Sequence, residues 1–149
     1  MNKRFVKVVL TLGLQTAMLC QWVPPYGTPA YHHSPPKPGE KSRPILTPDQ
    51  VKSQGMLHAD YQGTVYQIAA RDQAVFYQLP CYCYCDRRAG HHKSLRSCFE
   101  VAHATECGEC MKEAVYVHRQ LQAGKSIQQI REGLARGEFI HIDLKGATL

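Results

Sequence analysis

The sequence predicts a mainly α fold: one small helical domain with a cysteine-rich knuckle packed against its helices, preceded by a signal and a proline-rich linker. Three observations carry this expectation. Apolar residues recur at helical spacing between capping signals over much of positions 49–149. Six of the seven cysteines fall within Pro80 to Cys110, PCYCYCDRRAGHHKSLRSCFEVAHATECGEC, where they need a metal, other sulfurs or a redox substrate as partner. Eight of the nine prolines lie between positions 23 and 48, where no apolar period exists.

These features divide the chain into an export signal or N-terminal anchor at 1–22, a proline-rich linker at 23–48, and a cysteine-rich helical domain at 49–149 whose motif core is 80–110. The start, Met1 to Leu19, is basic at first and mostly apolar from Val8, shorter than the ~20 residues that span a bilayer. It reads as an export signal. Cys20 stands where an acylated cysteine of a bacterial lipoprotein would stand, although Leu19 is bulky for that pathway; cleavage near Ala30 or an uncleaved anchor are the alternatives. Each places the domain outside the cytoplasm, in the periplasm or cell envelope, with membrane contact only through the anchor or a lipid. The net charge of +6 includes Lys3, Arg4 and Lys7 of the leader, so the remainder carries +3, mixed with acids. No basic run interleaved with aromatics is present, which argues against a nucleic-acid partner.

Within the domain, Thr47-Pro48-Asp49 supplies an N-cap and a first-turn proline for a short helix that Gly55 ends. Tyr61, Val65, Ile68 and Ala69, then Phe76 and Leu79, extend helical spacing up to Pro80, with Asp72 able to restart it. Alternation in Cys81 to Cys85 predicts an extended strand or knuckle with Tyr82 and Tyr84 turned away from the sulfurs. After a polar loop at 86–93, Ser94 can cap a helix with Leu95, Cys98, Phe99 and Ala102 on one face, so Cys98 points inward. Cys107 and Cys110 open a further helix, 109–123, with Met111, Ala114, Val115, His118 and Leu121 on one side and Gly124 at its end. Ser126 with Gln129 forms a capping box for a last helix closed by Gly137, and 139–149 adds a short strand or stays loose.

The chain resembles the PCYCGC-motif family of small exported bacterial proteins and lipoproteins over residues 61 to about 139. The resemblance rests on LPCYCYC at 79–85, HKSLRSCF at 92–99, His103, the C-x-x-C at Cys107 and Cys110, and GKSIQQIR at 124–131. It implies an exported, often lipid-anchored helical domain with six motif cysteines. Tyr84 replaces the family's glycine, so a tight turn needing positive φ at that position would be less comfortable here.

Three chemistries suit the sulfurs. As thiolates, Cys81, Cys83, Cys85, Cys98, Cys107 and Cys110 form a soft donor set for copper or zinc, in one four-coordinate site with spare ligands or in a small cluster, with His103 a further ligand and His91 and His92 additional candidates. The partners are then the ion and a protein that donates or accepts it. Alternatively, six cysteines form a disulfide framework for a small extracytoplasmic core, with no metal. Alternating cysteines are an awkward way to build separate staples and a natural way to surround an ion. Third, Cys107 at a helix start is a candidate low-pKa nucleophile with Cys110 resolving, as in a thiol oxidoreductase, but no strand-helix-strand pattern precedes the pair. The favoured reading is therefore a metal-binding protein rather than an enzyme.

Overall fold

Thr47 begins the helical part as a full capping box: its side chain accepts from the Gln50 backbone N–H while Gln50 Oε1 accepts from the Thr47 N–H. The computed structural model describes residues 22–87 and 91–149, so the expected signal, with Cys20, lies almost wholly outside the described residues. Five α-helices follow: α1 (Pro48–Ser53), α2 (Asp60–Arg71), α3 (Gln73–Phe76), α4 (Gly108–Gln122) and α5 (Ile127–Ala135). Between α3 and α4, and after α5, the chain forms short 3₁₀ turns, and no strand occurs among the described residues. The fold is mainly helical, as expected.

The core lies where α2 and α4 pack on one another. Val65, Tyr66, Ile68 and Ala69 of α2 meet Met111, Ala114, Val115 and Val117 of α4 in one buried apolar cluster with Phe76, Leu79, Leu95 and Phe99. Phe99 receives the Tyr66 and Phe76 rings edge-on at 5.2 Å and 5.9 Å. Several polar groups inside this layer are paired. Tyr66 Oη donates to the Val101 carbonyl at 2.8 Å, and His118 of α4 meets Asp72, at the α2–α3 junction, at 2.6 Å. Gln62 caps the start of α2 by accepting from the His58 and Ala59 N–H groups, and its amide donates to the Thr105 carbonyl.

Of the strand and the knuckle expected at Cys81 to Cys85, the structure has the knuckle: the Tyr84 N–H donates to the Cys81 carbonyl, Tyr84 has φ +57°, and a 3₁₀ turn (Cys85–Arg87) follows. Two local expectations are corrected. The helix expected from Leu95 through Ala102 is two 3₁₀ turns, Leu95–Phe99 and Ala102–Glu106, and the Ser94 side chain makes no cap bond. Apolar spacing of i, i+3 suits both helix types, and the break at Val101 lets its carbonyl reach Tyr66. The C-terminal stretch is neither strand nor loose: Gly137 at φ +73° turns it into the 3₁₀ turn Glu138–His141, with Phe139 buried, and Leu144–Gly146 adds another.

The segment read as a proline-rich linker lies against the domain as a strap. Trp22 packs edge-on against Tyr82 and Phe139 at 5.5 Å and 5.9 Å. The Ala30 N–H donates to Asp86, the His32 N–H to the Tyr77 carbonyl and the Leu46 N–H to the Phe99 carbonyl, while Ile45 is buried. His32 stacks on the Tyr77 ring at 3.7 Å. Prolines leave few donors, so the strap is held by rings and by these isolated bonds rather than by a ladder.

Candidate metal centre

Two backbone devices bring the distant cysteines together. The Leu95 N–H donates to the Leu79 carbonyl at 2.8 Å, which lays the turn carrying Cys98 beside the entry to the knuckle. The Tyr82 N–H donates to Glu113 Oε1 at 2.6 Å, which pins the knuckle to α4 one turn beyond Cys110. Cys107 is the N-cap of α4 and Cys110 lies in its first turn, where the exposed amide dipoles favour negative charge.

The result is a sulfur cluster. The Sγ atoms of Cys81, Cys83, Cys98 and Cys110 all lie within 4.8 Å of one another, with Cys81 to Cys83 at 3.2 Å and Cys81 to Cys110 at 3.4 Å. Four thiolates around one ion at about 2.3 Å stand about 3.8 Å apart along each tetrahedral edge, so a shift of a few tenths of an ångström converts this packing into a coordination shell. The four residues fit a soft ion both in donor chemistry and in spacing, and can hold one. Cys81, Cys83, Cys98, Cys107 and Cys110 form no disulfide, so a framework of three disulfides has no counterpart among the described residues.

The other expected ligands stand around this core. Cys85 Sγ is 3.0 Å from Cys83 Sγ and 3.1 Å from His103 Nε2. Cys107 lines the same cleft as Cys83, Cys85 and His103, and its thiol donates to Glu109 at 3.6 Å. His92 Nδ1 lies 3.3 Å from Cys98 Sγ, and its ring meets His103 edge-on at 5.5 Å. His91 is exposed, with φ +42°, and no side-chain contact brings it to the sulfurs.

Proton affinity is uneven across the cluster. Hydrogen bonds from Cys107 and Cys110 pull the Cys83 thiol down to about 7, which makes it the thiolate of the group near neutral pH. Burial pushes the Cys81 thiol well up, and hydrogen bonding with Cys107, Cys81 and Cys83 does the same to Cys110. Burial lowers the His92 pKa, keeping its ring neutral and able to donate a lone pair. Cys83 is also the least covered of the four core sulfurs, since Cys81, Cys98 and Cys110 are buried and Cys83 is only half-buried.

The sequence reading missed two parts of this site. Glu113 is fully buried with burial raising its pKa to about 8, and its Oε2 has no hydrogen-bond partner. Its signal was an acid in the middle of the apolar face that begins at Met111, three residues after Cys110. The other is a cleft of about 570 Å³ over the knuckle, walled by Trp22 of the strap together with Cys83, Cys85, His103 and Cys107. Tyr82 and Tyr84 point away from the sulfurs as expected, but into an aromatic layer under the strap: Tyr84 Oη donates to the Gly27 carbonyl and its ring meets Tyr26 at 5.1 Å.

A family model described as "Protein of unknown function with PCYCGC motif" matches residues 55–137. No curated protein and no solved structure matches the chain. The turn at Tyr84 explains the glycine of the motif's name, since φ +57° is a conformation glycine adopts without steric cost.

Proposed function

The chain belongs to the PCYCGC-motif family, and from that premise and the sulfur geometry we propose that it holds a soft metal ion, copper or zinc, outside the cytoplasm, to sequester it or deliver it to a partner protein. The observation that carries this reading is the convergence of Cys81, Cys83, Cys98 and Cys110 within 4.8 Å from three separate stretches of chain. Sulfur-only donors discriminate against hard ions such as magnesium and calcium and favour copper(I) and zinc. Four thiolates complete the usual structural zinc shell, whereas copper(I) takes two or three and leaves the rest to exchange. The basic, apolar leader supports export, and no helix among the described residues is long and apolar enough to cross a membrane.

The test is metal content and thiol accessibility on protein purified from its own compartment. The proposal expects a bound soft ion, thiols masked until a chelator is added, and loss of most metal in the C98S/C110S variant. Three intact disulfides before reduction, or unchanged metal content in that variant, would overturn it. Absorption in the thiolate-to-copper region, and release of bound zinc on addition of copper(I), identify the ion.

A further inference from the structure

The four core sulfurs satisfy one ion and leave a second set of donors unused. Cys85, His103 and Cys107 are not part of the core quartet, yet all three face the cleft and flank Cys83. Cys83 links the sets: its sulfur is 3.2 Å from Cys81 on the core side and 3.0 Å from Cys85 on the cleft side, and Cys107 lines the same cleft. His103 completes the group through its Nε2, 3.1 Å from Cys85 Sγ, on an exposed 3₁₀ turn. Thiolate sulfur has several lone pairs and bridges two soft ions readily, so the half-buried position of Cys83 between a closed quartet and an open trio is a two-ion geometry rather than one site with surplus ligands. Glu106 and Glu109 stand on the same cleft wall and make it attractive to cations.

We infer that the cleft holds a second, solvent-facing soft-metal position formed by Cys85, His103 and Cys107 and joined to the core through a shared Cys83 thiolate. It rests on the core reading and extends it: the outer position has three donors of its own and an open side, through which an incoming donor from a carrier protein or thiol ligand can approach. Each thiol loses its proton to solvent when it binds, so loading is accompanied by proton release with no change in oxidation state. The inner ion is enclosed and the outer one is exchangeable.

Cadmium(II), a soft probe with an NMR-active isotope, tests this on the full exported chain kept reduced. Wild-type protein is expected to take two cadmium ions per chain in native mass spectrometry, with one resonance from an all-sulfur site and a second shifted by nitrogen ligation. The C85S/H103A variant should take one ion and keep only the all-sulfur resonance. Should Cys85, which is buried, prove necessary for folding, the exposed His103 gives a second handle: H103A is expected to retain its helical circular dichroism and to lose at least tenfold in affinity for the second ion alone. Saturation of wild type at one ion that only C98S/C110S abolishes would overturn the second position and leave the core standing. A wild-type protein that binds no cadmium would overturn both.

Discussion

Replacing Glu113 by glutamine should change how stability depends on pH, by an amount the burial of this carboxyl sets. Glu113 is fully buried, its Oε1 accepts the Tyr82 N–H, and burial raises its pKa from 4.5 to about 8. Between those two values the folded chain keeps a proton that the unfolded chain has released. The stabilisation is therefore fully present below about 4.5 and is lost as pH rises through about 8, at up to ~1.36 kcal/mol per unit. From pH 5 to pH 7 this amounts to roughly 2.5 kcal/mol. Glutamine keeps an acceptor for Tyr82 but has no proton to lose, so the stability difference between wild type and E113Q should shift by about that amount in favour of the variant over those two units.

The assay is urea unfolding of the reduced, metal-free protein at both pH values, with unfolding free energies extrapolated to zero denaturant. Comparing the two proteins cancels groups they share. His32 and His92, whose pKa values burial lowers, are present in both. The window stops at pH 7 because Cys83 acts with the opposite sign above it: its pKa falls from 9.0 to about 7, so it adds stability between those values. A wild-type-minus-variant difference that stays constant within about 0.5 kcal/mol from pH 5 to pH 7 would refute the reasoning, and with it the role of Glu113 as the protonated pin between the knuckle and α4.

Three further outcomes follow from particular contacts. Y84G should leave the knuckle conformation and metal stoichiometry unchanged, because φ +57° suits glycine, but should cost roughly 1–2 kcal/mol in urea unfolding, the loss of a buried ring outweighing the relief of left-handed strain. G133A should cost about 2–4 kcal/mol by the same measurement, since a Cβ there would stand 1.9 Å from Tyr116 Oη and 2.7 Å from Glu138 Oε2 and would break the 2.6 Å bond between them; a variant as stable as wild type would place Tyr116 elsewhere. Trp22 is the sole tryptophan and packs on Tyr82, between two core cysteines, so its emission should change in step with metal loading; an unaltered spectrum at saturation would contradict the strap's seat over the cleft.

The long helices were legible because several local signals agreed. Ser126 with Gln129 at the start of α5 and Gly137 past its end form the capping box and left-handed stop that the sequence announces. Thr47 and Gln50 do the same for α1. The stretch from Leu95 to Glu106 misled because its apolar spacing fits an α-helix, while the requirement to bring Cys98 to the knuckle and the Val101 carbonyl to Tyr66 breaks it into two tight turns. That is a tertiary demand with no local signature. The seat of the strap had no local signature either: prolines forbid a ladder, but they do not forbid an extended chain from covering rings such as Tyr77 and Tyr82.

In the site itself, cysteine density and the inward face of Cys98 led to the expectation that distant sulfurs converge, and Cys81 and Cys110 approach to 3.4 Å. Which sulfurs group together depends on the turn at Tyr84. In a plain strand Cys81, Cys83 and Cys85 would share one side and compete equally for a metal. The left-handed residue between the second and third breaks that equivalence: it leaves Cys81 against Cys110, swings Cys85 towards His103, and sets Cys83 between them. The motif's fifth position therefore matters more than a spacer would. A bulky residue there is tolerated only because the strap supplies Tyr26 and the Gly27 carbonyl to receive it, which ties the N-terminal arm to the shape of the metal centre.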